Sequence, residues 1–255
     1  MFRNKRTFAL LTRPCLAALI LALAPGWIFA GQADVEPMAK SLLKNSMAYL
    51  AGLQKFEVVT HNSIEAVLET GQKLQFDTSA GAMVQRPDKL YAARLGELVD
   101  QEFFYDGKTL TLHDIDAGFY ATLPAPDTLE GMLDFARISL DIVAPASDLV
   151  YADAFDILMD GVTSGFVVGS AWVDGGFCYH LAFSKPGTDF QIWVQQGDQP
   201  LPRKLVITST DVMNAPQFTV HLTDWNVAPE FGEDKFKFVM PDDVVEIDFI
   251  ILDEE

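Results

Sequence analysis

The chain has 255 residues, about half of them apolar at 49%, and sets 36 Asp and Glu against 18 Lys and Arg. Four of those 18 basic residues and none of the acidic ones fall in the first thirty positions, so the remainder carries 14 against 36, a net charge of −22. A surface this acidic repels phosphate backbones and anionic membranes, which excludes nucleic acid as a natural partner.

Arg3, Lys5, Arg6 and Arg13 precede an apolar run at 16–24, and small Ala30 closes a cleavage site. This is the layout of a secretory signal peptide over 1–30. The run is too short to span a bilayer, and Cys15 follows Thr-Arg-Pro rather than a small-residue lipobox, so no lipid anchor is expected. The expected product is an exported, periplasmic chain with one domain over 31–255 and no transmembrane segment. Cys178 is its only cysteine, so no intrachain disulfide can form and the fold must hold by packing alone.

Over 34–53, Val35, Met38, Leu42, Leu43, Met47, Leu50 and Leu53 recur at helical spacing, with Asp34 as N-cap, Pro37 in the first turn and Gly52 near the end. Strands are expected at 56–62, 64–70, 72–78, 83–86 and 89–95 on period-two alternation, as in Leu74 and Phe76 against Lys73, Gln75 and Asp77. Asp106-Gly107, between runs rich in aromatic and β-branched residues, signals a tight hairpin with a type I′ turn, and Asp116-Ala117-Gly118 signals another turn. Short connections make successive strands antiparallel neighbours, so this half reads as a meander.

At Asp127 the pattern changes, because Asp127 with Glu130 resembles a capping box opening a helix over 127–142. Leu129, Met132, Leu133, Ala136 and Leu140 make one stripe, and Phe135, Ile138 and Ile142 widen it to a breadth that calls for burial on more than one side. A second helical piece is expected over 146–159. Strands resume at 166–173, 176–184, 189–195, 203–210, 217–225, 235–239 and 245–251, punctuated by Pro-Gly, Gly-Asp and Asn-Ala-Pro. The fold class is mainly β with α, one curved antiparallel sheet curling round its own helices.

Arg86-Pro87-Asp88-Lys89-Leu90, Tyr105-Asp106-Gly107-Lys108-Thr109-Leu110, Cys178-Tyr179-His180-Leu181-Ala182-Phe183, Asp189-Phe190-Gln191-Ile192-Trp193 and Leu201-Pro202-Arg203-Lys204-Leu205-Val206-Ile207 resemble an uncharacterised family of predicted periplasmic proteins over about 55–249. That family is similar, more distantly, to the lipoprotein-carrier superfamily of LolA, LolB, LppX and the amino-terminal part of RseB. The resemblance implies an unclosed β-barrel with helices covering its concave side and an apolar cavity for acyl chains. The chain departs from it in lacking the lipidated cysteine of LolB, and Arg86 and Arg94 are the two candidates for LolA's lid arginine.

Cys178 and His180 share one face of an extended strand and could form a nucleophile pair or two metal ligands. No ligand-spacing motif or orienting group accompanies them, so a buried cysteine beside a hydrogen-bonded histidine is the expected reading. His61, His113 and His221 occur singly and are read as structural. Asp242, Asp243 and the acidic tail lack the loop pattern of a calcium site, and Glu57, Glu65 and Glu69 read as exposed strand carboxylates. The aromatic and aliphatic excess carries the functional expectation, a non-catalytic carrier of a lipid, acylated ligand or lipoprotein, without cofactor. Leu129, Met132, Phe135, Phe166 and Trp172 are the expected ligand contacts. The alternative is a periplasmic sensor or scaffold that binds an envelope protein.

Overall fold

The computed structural model describes residues 34–251 except 143, 145 and 233, so the signal-peptide reading of 1–30 lies outside the described residues. Helix α1 (Pro37–Gly52) leads into β1 (Lys55–Val67), β2 (Lys73–Gln85), β3 (Lys89–Gly96), β4 (Asp100–Tyr105), β5 (Thr109–Asp114) and β6 (Phe119–Pro124). Then come α2 (Leu129–Ser139), a 3₁₀ turn at Ser147–Val150 and α3 (Ala154–Met159). The chain returns through β7 (Ser164–Val173), β8 (Gly176–Lys185), β9 (Thr188–Gln195), β10 (Pro202–Ser209), β11 (Gln217–Asn226) and the short β12 (Val245–Glu246).

All the strands belong to one sheet in the order β12-β6-β5-β4-β3-β2-β1-β11-β10-β9-β8-β7. Each meander runs through sequence neighbours, and β1 pairs antiparallel with β11 where the two meet. The sheet stays open, ending at β7 and at β12, whose pairing with β6 is its one parallel ladder among the described residues. The expected order of helix, meander, helices and meander is the observed one.

Several boundaries differ, each for a local reason. The strands expected at 56–62 and 64–70 are the single strand β1, and those at 72–78 and 83–86 are β2; the two pair without a break from Lys55↔Gln85 to Val67↔Lys73. Only their inner halves are covered, with Phe56, Val58 and Val84 buried, while the distal halves alternate between exposed and half-buried residues and lose the apolar signal. Helix α1 starts at Pro37 rather than Asp34, because Val35 forms a parallel bridge with Gly165 and the Glu36 carboxylate accepts from the Val167 N–H at 2.8 Å. Thr128 caps α2 by accepting from the Gly131 N–H at 3.1 Å, so Asp127 does not, and Glu130 is turned to another use. The helical piece expected over 146–159 is broken at Tyr151, whose backbone is extended. A turn at 234–236 and irregular chain after it take the place of the strand expected at 235–239.

The type I′ turn also lies elsewhere. At the β4–β5 hairpin only Gly107 has positive φ, at 92°, and the Asp106 carboxylate accepts from the N–H groups of Lys108 and Thr109 at 3.0 and 2.9 Å. Asp106 therefore flanks the turn and braces it. Both central residues have positive φ at the β7–β8 turn, Asp174 at 45° and Gly175 at 85°, the combination a type I′ turn demands.

The inner face of the sheet carries the core. Helix α1 lies on β7, β8 and β9 and buries Ala39, Leu43, Met47 and Leu50 against Leu181, Phe183, Phe190 and Ile192. Complete burial of each large aliphatic side chain contributes about 1.5–3 kcal/mol. On the opposite face the segment after β11 crosses β3–β6. Phe238 lies 5.5 Å from Phe104, 5.4 Å from His113 and 4.9 Å from Tyr120, ring centre to ring centre, and the Lys235 ammonium sits 4.1 Å above the Tyr91 ring. This strap covers outward-facing His113, which is buried, as is Thr111 on the same face.

Candidate binding cavity

Between the inner face and the α2-to-3₁₀ segment lies a cavity of about 690 Å³, within the ~300–1,000 Å³ range typical of small-molecule sites. Its floor contains Ala80, Ala82 and Ala92, methyl-sized residues in mid-strand that leave the space a larger side chain would fill. Phe103, Phe218 and Trp225 form walls, and Met132, Leu133 and Ala136 of α2 form the roof. The Trp225 indole donates to the Pro202 carbonyl at 3.0 Å and its ring lies 5.7 Å from Phe56, so this wall is held in one orientation. Charged lining residues are mainly the exposed ones, Asp77, Glu97, Arg137 and Asp141. The lining is thus mainly apolar, with most of its charges at the rim and half-buried Arg94 and Asp148 further in, an arrangement that takes an apolar body and leaves its polar end near water or a charge.

The two arginines have separate duties. Arg86 is nearly buried; its Nη1 donates to Glu130 Oε1 at 3.3 Å and its Nη2 to the Val150 carbonyl at 2.5 Å. Burial pushes its guanidinium down, and the Glu130 charge opposes that. Glu130 Oε1 also accepts from the Ala152 N–H, and Leu129 N–H donates to the Pro87 carbonyl at 2.9 Å. Arg86 therefore fastens the roof to the end of β2. Arg94 lines the cavity, donating to Gln101 Oε1 from Nε at 3.1 Å and from Nη2 at 2.6 Å, while Gln101 donates to Asp114 at 2.9 Å. Burial lowers its affinity for the proton, and Asp114 counteracts this.

Of the five expected contacts, Met132 lines the cavity. Leu129 is fully buried in the core at the start of α2, and Phe135 is half-buried on the same helix. The broad stripe of α2 is not enclosed on two sides, since Ile138 is 55% exposed. Phe166 and Trp172 lie on β7, outside the cavity lining. A bulge between Val167 and Gly169 inserts one residue, so two positions that share a face in a regular strand oppose Ala182 and Phe177 on different faces of β8. Trp172 is 64% exposed and meets Phe177 edge to face at 4.9 Å.

Cys178 is fully buried, with its thiol directed at the Gly176 carbonyl at 3.8 Å, and burial pushes the thiol pKa up. The His180 ring stacks on Trp193 with centroids 4.0 Å apart, and its Nε2 lies 2.9 Å from Gln191 Oε1. Burial lowers the His180 pKa. A raised thiol and an imidazole committed to an amide do not make an activated nucleophile.

The features missed in the sequence were the alanines of the floor and Val220 and Leu222 of β11. Alternation of Val220 and Leu222 with polar neighbours was the available signal for the second.

The fold and cavity define a protein built on an open, helix-covered β-sheet around an apolar space. The chain belongs to the family described as predicted periplasmic protein (DUF2092), whose model matches residues 39–250. No curated protein matches it in sequence. Among solved structures it is similar to an uncharacterized conserved protein from Thermus thermophilus, at 9% identity and a TM-score of 0.48 over 83% of this chain and 99% of that one. It is similar to MucB at 15% identity and a TM-score of 0.47, over 82% of this chain and 66% of that one. The lipoprotein LppX of Mycobacterium tuberculosis matches at 12% identity and a TM-score of 0.43, over 76% of this chain and 98% of that one. Among the described residues no helix is long and apolar enough to cross a membrane.

Proposed function

We propose that the chain is a non-catalytic periplasmic binding or carrier protein, one domain over 31–255, that holds the acyl part of a lipid or acylated ligand in the cavity under α2. The observation that carries this reading is the cavity itself, about 690 Å³ with an alanine floor, aromatic walls and a charged rim. Met132 is the contact from the sequence reading that the cavity supports, joined by Ala82, Ala92, Phe103 and Trp225. The test is organic extraction of the protein purified from the periplasm, read by mass spectrometry, with titration of a fluorescent fatty-acid probe. Co-purifying acyl compounds and saturable probe uptake that Met132→Gln weakens are the expected results. An empty extract together with no probe uptake overturns the proposal.

Binding of a protein partner is the second reading, favoured by Trp172 and Phe177, which are 64% and 60% exposed beside the open end of the sheet at β7.

A further inference from the structure

The outer face of the sheet carries a pair of histidines that the cavity does not use. His61 on β1 and His221 on β11 are direct register partners where the two meanders meet. Residues so placed on an antiparallel pair share a face, with Cβ atoms ~4.5–5.5 Å apart. Each ring is held through Nδ1: that of His61 lies 3.3 Å from Ser79 Oγ, and that of His221 lies 2.8 Å from Asp174 Oδ2. The type I′ turn at Asp174-Gly175 delivers this carboxylate. A carboxylate can only accept, so neutral His221 carries its proton on Nδ1 and its lone pair on Nε2. Carboxylates orient metal-binding imidazoles in this way. Neither Nε2 has a protein partner among the described residues. Both rings line one groove of about 430 Å³, whose other walls include Ser63, Asp77, Ser79 and Thr219.

We propose that His61 and His221 bind a borderline divalent transition-metal ion, such as Zn²⁺ or Cu²⁺, through their two Nε2 atoms. Imidazole nitrogen selects such ions over Mg²⁺ and Ca²⁺, which prefer oxygen. Among the described residues no group of three or more His, Cys, Asp and Glu side chains is placed to hold a metal. The protein therefore supplies two ligands, and water or an outside group completes the shell. With fewer ligands than the three of a catalytic zinc or the four of a structural one, the site exchanges its ion readily. His61 is exposed and the His221 side chain is 34% exposed, so the ion arrives from solvent without opening the fold.

The experiment is calorimetric titration of the purified chain with Zn²⁺ and, separately, Cu²⁺, in excess Mg²⁺ to occupy surface carboxylates. One equivalent is expected to bind, and His61→Ala and His221→Ala are each expected to weaken it at least tenfold. Asp174→Asn is expected to weaken it by a smaller factor, while His180→Gln leaves it unchanged. Circular dichroism checks that each variant is folded. Electron paramagnetic resonance of the Cu²⁺-loaded parent gives an answer that needs no variant, coupling to two imidazole nitrogens. Absence of binding, binding that survives both histidine substitutions, or a Cu²⁺ spectrum without that coupling overturns the proposal.

Discussion

The guanidinium of Arg86 donates to the backbone carbonyl of Val150 across 64 positions of sequence, at 2.5 Å, and so ties the end of β2 to the 3₁₀ turn that closes the cavity. Its second nitrogen holds Glu130 on α2. Because Arg86 is the more buried partner, removing Glu130 leaves a guanidinium with a poorer match, whereas removing Arg86 leaves Glu130 within reach of water. Glu130→Gln is expected to cost about 1–3 kcal/mol in urea denaturation. Arg86→Met combined with Glu130→Gln is expected to show a coupling of about 0.5–3 kcal/mol. Hydrogen exchange in both single variants should rise first over 129–150; strictly additive effects would count against the latch.

Filling the cavity separates binding from folding. An added ring in a close-packed core costs about 1–3 kcal/mol, but at Ala82 or Ala92 it meets open space. Ala82→Phe and Ala92→Phe are expected to lower fatty-acid probe uptake at least tenfold with little change in urea midpoint. Uptake equal to that of the parent in both variants would place the probe elsewhere.

The tyrosines set the alkaline limit of stability. Burial, aided by the Glu102 hydrogen bond, pushes Tyr91 up to about 12, and burial with nearby Asp88 and Asp127 does the same for Tyr105. Burial and then the Asp134 hydrogen bond raise Tyr151 as well. An unfolded tyrosine loses its proton near pH ~10, so above that value the native state holds protons the unfolded state has released. Stability is therefore complete below pH ~10 and falls as pH rises towards 12. Ultraviolet titration should show a delayed group of phenols that ionise together with unfolding.

Cys178 should be inert while the protein is folded. Its thiol is buried and its pKa is raised by that burial, so Ellman's reagent is expected to react only after denaturant is added. Rapid reaction of the native protein would contradict the buried placement.

The strap across the outer face is expected to be structural. Phe236 is 3% exposed and meets Phe231 edge to face at 5.3 Å. Phe236→Ala should therefore cost about 3–5 kcal/mol by thermal or urea unfolding, as deletion of a buried ring does.

The order of elements and the hairpin pairings from β3 onward were legible in the sequence because turns and alternation are local signals, whereas the unbroken length of β1 and β2 and the β1–β11 ladder were not. The cavity was only partly so. Met132 stands out on a helical stripe, but Ala82 and Ala92 mark the space by lacking bulk, and a small residue in a strand sends no periodic signal. The β7 bulge was hidden for another reason. A single inserted residue reverses the phase of everything after it, so Phe166 and Trp172, which a regular strand would put on one face, lie on two. Asp174-Gly175 has the composition of the turn that was assigned to Asp106-Gly107. What distinguishes them is backbone φ, which their shared Asp-Gly letters do not encode.

The pairing of β1 with β11 also dictates an order of assembly. Every other long strand meets a sequence neighbour, so either half-sheet can zip from its own hairpins. At the junction the Gln217 N–H reaches Glu65 Oε2 across 152 positions, and that closure bears a loop entropy that grows with the logarithm of its length. The junction is accordingly expected to form after the hairpin ladders of either half. Substitutions along it, such as Val220→Ala, should slow refolding less than they speed unfolding, while substitutions within the β4–β5 hairpin act mainly on the refolding rate. The same ladder runs beneath His61 and His221, so an ion captured there would hold the two half-sheets together and register first as a longer native lifetime.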